Sequence, residues 1–313
     1  MTEQMLNQTK EVKRYNKITA NTGKRKSRKL KDNPSEYKLI KMANSTFLFC
    51  IIFEVVGIMT IMFFGTVGAQ MSIYFMTFLF SLFLYLKHKD DFRITVSLKK
   101  MSSKKMVYFT ALTICGIPVA MVLNALADFL AGTGIESTNE VTAFPVIPAL
   151  IIYALIPAIV EEFVFRGIIL GIYEKVDVRA GILISSLFFA LLHFSPGSVL
   201  YGFLFGVIFA LVRVRTGNLL YTICMHCAFN GVNVLMSYVD MVSVPKAVMM
   251  AASVIMIVVF IISQIIMLRG ILQDGVNLPS MTNKSKYVVY RLITKEGYVT
   301  MMVCVTITGL LCL

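Results

Sequence analysis

Eight apolar runs, at about 44–66, 70–86, 106–130, 146–172, 180–196, 198–212, 217–238 and 246–268, set the terms for this chain, and a ninth, shorter one covers 299–313. A helix needs roughly 20 apolar residues to cross a bilayer. In hydrocarbon each backbone polar group must be satisfied within its own segment, which excludes open sheets and irregular chain. The runs therefore predict an all-α fold, a polytopic transmembrane helical bundle of about eight spans. Composition agrees: 57% of residues are hydrophobic and 15% charged, whereas soluble domains carry about 25% charged residues. The short run at 198–212 follows "SPGS" (Ser195–Ser198) and reads as half of a helical hairpin.

Charge sets the expected topology. The net charge is +13, and twelve of the 30 Lys and Arg residues lie between Lys10 and Lys41. Such a flank predicts a cytoplasmic, anionic-lipid-facing N-terminal segment, residues 1–43. A nucleic-acid-binding arm is the weaker reading, because no aromatic-interleaved motif accompanies it. With the N-terminus inside, the segments 87–105, 173–179, 213–216 and 269–298 face the cytoplasm and hold nearly all the other Lys and Arg residues. The opposite side, 67–69, 131–145, the Pro196 turn and 239–245, offers only Lys246, at its edge. This asymmetry follows the positive-inside rule. The layout is a basic segment 1–43, a transmembrane domain 44–268 and a basic segment 269–298, with a short apolar segment 299–313 after it. The first 41 residues are polar and the first apolar run is too long for a cleavable signal peptide. Six scattered Cys residues do not form a secreted disulfide framework. "CMHC" (Cys224–Cys227) resembles a redox or metal pair, but in an apolar helix it reads as small buried thiols.

Ionisable residues inside spans are functional candidates, and this chain concentrates them. "VEEFVFRG" (Val160–Gly167) holds Glu161, Glu162 and Arg166 inside an apolar run. Glu162 and Arg166 are four apart, share a helix face and can pair. Glu161 is about 100° around the helix and is the less neutralised carboxylate, as a general base requires. Phe189 and His193 are four apart on the next helix, and His226, Asn230 and Asn233 fall on one stripe of a later one. Only three His residues occur in the chain, and two are in this set. Taken singly, each has a structural reading: a helix-locking ion pair, an interfacial His beside the Pro196 turn, a helix–helix hydrogen bond at His226. Glu54 reads as a packing or snorkelling partner, and Asp128 as interfacial. The concentration of costly groups between 161 and 230 favours a shared site.

Three of these stretches resemble one family. "EEFVFR" (Glu161–Arg166) looks like its EExxxR motif, "FALLH" (Phe189–His193) like FxxxH, and "HCAFN" (His226–Asn230) like HxxxN/D. The family is that of the CPBP intramembrane endopeptidases, also called Abi proteins, which includes type II CAAX prenyl endopeptidases and bacteriocin-processing enzymes. All three motifs occur in the family's order, over a core of about 145–236. The resemblance implies an endopeptidase whose site lies within the bilayer. Glu161 would activate water with help from His193, His226 and Asn230 would stabilise the oxyanion, and Glu162 and Arg166 would shape and charge-balance the site.

Such proteins are often named metalloproteases, so a divalent metal such as zinc stays open, with Glu161, His193 and His226 as ligands if one binds. There is no HExxH, and Arg166 would partly neutralise Glu162 as the remaining base, which puts metal-free water activation slightly ahead. The expected substrate is a membrane-associated protein or peptide, in CAAX-like processing, bacteriocin or pheromone maturation, or self-immunity. The expected location is a membrane, the plasma membrane if the source is bacterial, with the lipid bilayer as the other partner and nucleic acid excluded. The competing readings are a non-catalytic membrane scaffold or accessory protein that keeps the fold, and a transporter. The latter is disfavoured because no paired broken helices mark two halves.

Overall fold

The computed structural model describes residues 33–88, 96, 98, 100–132, 141–239, 245–273 and 292–311. The basic arm before Asn33, and much of the loops read as cytoplasmic or external, lie outside the described residues. Within them every long element is helical and no strand occurs. The helices are α1 (Pro34–Met59), α2 (Ile61–Lys87), α3 (Ser103–Ala131), α4 (Val146–Glu174), α5 (Val178–Leu191), α6 (Pro196–Thr216), α7 (Leu219–Ser237), α8 (Lys246–Gln273) and α9 (Lys295–Leu311). Seven of them, α1 to α4 and α6 to α8, are long and apolar enough to cross a membrane, and α5 is a shorter apolar helix. The protein is an integral membrane protein, as its apolar runs predict.

Several boundaries differ from the sequence reading: α1 already begins at Pro34, inside the segment read as the basic arm 1–43, and two other differences bear on the site. The first turn, expected at 67–69, lies at Thr60, whose Oγ1 donates to the Gly57 carbonyl at 2.6 Å. Gly65 follows with φ +68°, a left-handed conformation that breaks the helical path and that glycine adopts without a Cβ clash. The run is apolar straight through this break, so hydropathy does not mark it. The second difference is α5. Asp177 starts it by accepting from the Arg179 and Ala180 backbone N–H groups at 2.9 and 3.2 Å, and it stops at Leu191 rather than near 196. At ~1.5 Å per residue its 14 residues span only ~21 Å, short of a ~30 Å hydrocarbon core. Phe194, with φ +48°, turns the chain into α6.

Helix α4 is not uniform. Ile151–Leu155 and Phe163–Ile169 are wider π turns, one on each side of the segment that holds the two glutamates. Pro157 cannot donate to the carbonyl four residues back, which loosens the turn before it. Packing divides the bundle into two apolar clusters. One joins α1, α4, α5 and α9, with Phe47 and Phe188 stacked at 4.1 Å. The other joins α3, α6, α7 and α8. Helices α5 and α6 approach closely at Gly206, where a Cβ would lie 3.0 Å from that of Ser186. Asn44 ties α1 to α4 and to the chain just before α9: its Nδ2 donates to the Tyr173 hydroxyl at 3.0 Å and to the Leu292 carbonyl at 3.4 Å.

Candidate active site

The ionisable residues gather where the two clusters meet. Arg166 is fully buried, and its Nη1 donates to Glu162 Oε1 at 2.9 Å, with Glu162 buried just as completely. Arg166 Nη2 reaches the Gly206 carbonyl at 3.3 Å. Its guanidinium lies over the Phe189 ring, 4.3 Å from the centroid, and 5.6 Å from that of Phe209. An unpaired charge here would be very costly. The carboxylate, the carbonyl and the ring faces together offset that cost. The expected Glu162–Arg166 pair is therefore present, and the close approach at Gly206 gives Arg166 a backbone acceptor.

Glu162 also holds His226. The imidazole Nδ1 lies 3.0 Å from the same Oε1. A carboxylate ion only accepts, so Nδ1 carries a proton and donates. That fixes the ring and turns Nε2 toward Glu161, whose Oε2 is 3.8 Å away, beyond direct hydrogen-bond reach. Glu161 faces elsewhere than its neighbour: its other oxygen accepts from the Tyr74 hydroxyl of α2 at 3.3 Å. Its side chain keeps 13% exposure, against none for Glu162.

A cavity of about 390 Å³ opens beside Glu161 and is lined by Glu161, His193, His226 and Asn230. Glu162 and Arg166 stand behind it and do not line it. His193 is exposed and lies two residues past the end of α5, in the turn rather than on the helix. Its Nδ1–H donates to the Phe189 carbonyl at 3.0 Å, which leaves Nε2 unprotonated in the neutral ring. Uniform helices would separate Glu161 and His193 by about 10 Å in depth. Both nevertheless line the same cavity.

The set expected to hold a metal, if one binds, is Glu161, His193 and His226. Among the described residues no group of three or more His, Cys, Asp or Glu side chains is arranged to hold one. The bonds at His226 Nδ1 and His193 Nδ1 leave the Nε2 of each ring as the nitrogen available to a ligand, as metal-binding imidazoles also do. Cys224 and Cys227 are free and half-buried, more open than the buried thiols expected. Sequence reasoning missed Tyr74 and Gln70, which line the cavity from α2. Their spacing of four along an apolar run was the available signal.

Fold and site together define a polytopic helical membrane protein that encloses ionisable and amide side chains at the seam of its bundle. Residues 143–232 match the model of the family described as type II CAAX prenyl endopeptidase Rce1-like. That segment holds all three motifs, and over it the expected family resemblance is shown. A curated relative from Bacillus subtilis (strain 168), named "Putative membrane peptidase YdiL", is 31% identical over 132 residues, 39% of this chain. The chain spans 54% of that relative's length, about half. No solved structure matches.

Proposed function

We propose that the protein is an intramembrane endopeptidase that hydrolyses a peptide bond of a membrane-associated protein or peptide. The observation that carries this reading is the partition of the two adjacent glutamates. One is consumed in a buried pair that orients His226, and the other is left on the cavity with two imidazoles and an amide. The family match and the relative's name support the class of activity.

In this mechanism Glu161 accepts the proton of a water positioned with His193 Nε2, and the water attacks the scissile carbonyl. Proton transfer of this kind contributes typically 10²–10⁴-fold. The Asn230 amide and, with both ring nitrogens protonated, His226 Nε2–H donate to the developing oxyanion. Removing one such donor costs about 10²–10³ in rate. Glu161, now protonated, returns its proton to the leaving amine. With His226 protonated, the formal charges of Glu161, Glu162, Arg166 and His226 cancel, so a dry site carries no net charge at the moment of attack. No step is routed through a metal.

The test is cleavage of a candidate membrane peptide by purified protein in lipid nanodiscs. Glu161→Gln and His193→Ala are expected to lose at least a hundredfold in kcat/KM, and a chelator is expected to change nothing. Full activity in both variants would sink the reading. Loss of activity to chelator, restored by one added metal, would replace the metal-free route. The reading further places the protein in a bacterial plasma membrane with its N-terminus cytoplasmic, and leaves CAAX-like processing, bacteriocin or pheromone maturation and self-immunity as candidate settings.

A further inference from the structure

The chemistry described above uses His226 and Asn230, yet the polar stripe of α7 continues beyond them. Asn233 and Ser237 follow at the same side, and both line the cavity. Along the helix axis the four residues are ~6, ~4.5 and ~6 Å apart. Extended peptide repeats about every 6.6 Å, two residues at a time. The stripe spans ~16 Å, the length of about five extended residues. Gln70 of α2 also lines the cavity, hydrogen-bonded to the Tyr74 side chain. Neither Asn230 nor Asn233 makes a side-chain hydrogen bond to another described residue. Ser237 Oγ donates to the Asn233 carbonyl at 3.2 Å and keeps its acceptor lone pairs. The wall is braced at this end, because the Tyr238 hydroxyl bonds the Val141 and Phe144 carbonyls at 2.8 and 2.6 Å.

The ligand chemistry follows from what carboxamides satisfy. Each offers two donors and an acceptor, the complement of a peptide unit with its one N–H and one C=O. An acyl chain has no use for them. An anionic headgroup would want a cation, and Arg166 is sealed behind the cavity. A helical substrate already satisfies its own backbone, whereas an extended one in an apolar site must find partners or lose free energy for each orphan group.

We propose that the Asn230–Asn233–Ser237 stripe of α7, with Gln70 on the same cavity, is a subsite that binds the main chain of a substrate in extended form. It takes peptide with little regard to sequence and delivers it from the Ser237 end toward Glu161. This rests on the reading of the cavity as a peptide-hydrolysing site.

The test uses full-length protein in lipid nanodiscs and two fluorescent octapeptide pools of randomised sequence. One pool is unmodified, and the other is methylated at alternate main-chain nitrogens. Wild type is expected to bind the methylated pool at least tenfold more weakly. Asn233→Leu, at an exposed position, is expected to lose about tenfold for the unmodified pool, roughly one charge-free hydrogen bond, and nothing further for the methylated one. Gln70→Leu serves as the second variant, and the wild-type comparison stands without either. Equal binding of the two pools, binding of neither, or undiminished discrimination in Asn233→Leu overturns the subsite. Methylation-sensitive binding with no product from any pool keeps the subsite and removes the hydrolase reading. Cleavage indifferent to methylation does the reverse.

Discussion

At the scale of single residues, adjacent glutamates have opposite fates. Glu162 is fully buried and shared between Arg166 and His226. Glu161 reaches the cavity and meets Tyr74. The two substitutions should therefore separate stability from activity. Glu162→Gln leaves Arg166 buried without its anion, and breaking such a pair costs about 3–5 kcal/mol. It is expected to lower the thermal midpoint sharply in detergent. Glu161→Gln should hold that midpoint within a few degrees while abolishing turnover. Tyr74→Phe removes a single hydroxyl, so a loss of about tenfold in kcat/KM is expected, ~1.4 kcal/mol, with stability unchanged. A full loss of folding in Tyr74→Phe, followed by circular dichroism, would instead mark Tyr74 as a structural strut.

At the scale of elements, irregularity places the groups. Two π turns flank the glutamates of α4, α5 ends early so that its His lies in a turn, and α6 comes near enough for a backbone carbonyl to reach Arg166. The last point depends on Gly206. Gly206→Ala would press a methyl group toward Ser186 at 3.0 Å. Overpacking of this kind costs typically 1–3 kcal/mol, and a lower unfolding midpoint is the expected result. Gly206→Leu is expected to prevent the α5–α6 contact from closing, with loss of monodisperse protein on size exclusion. None of these devices was legible in hydropathy. The periodicity of "EEFVFR" showed that Glu162 could pair with Arg166, but a repeat rule assumes a regular helix and cannot foresee where one widens or stops.

At the scale of the whole molecule, the membrane dictates a bundle, and the charge asymmetry predicts a cytoplasmic N-terminus under the positive-inside rule. The orientation is open to a direct check. Cysteine introduced at Ser103 is expected to react with a membrane-impermeant thiol reagent only after the cytoplasmic face is exposed. Cysteine at Val239, which is 55% exposed, should react from outside in intact cells. Reversed labelling would invert the bundle, and with it the face from which substrate reaches the Ser237 end of the cavity.

The sequence by itself determined that this chain lives in a bilayer, that it is helical, and that its costly polar residues lie mainly between 161 and 230. Hydropathy and charge act locally, so they can be read one residue at a time. Three ordered motifs singled out six candidate residues, Glu161, Glu162, Arg166, His193, His226 and Asn230. Only the tertiary structure decided which of them share a surface. It set Glu161, His193, His226 and Asn230 on one cavity, put Glu162 and Arg166 behind it, and brought in Tyr74 and Gln70 from outside the family-matched segment. That choice depends on close approaches between helices distant in the chain, and those approaches follow from side-chain packing rather than from any local pattern.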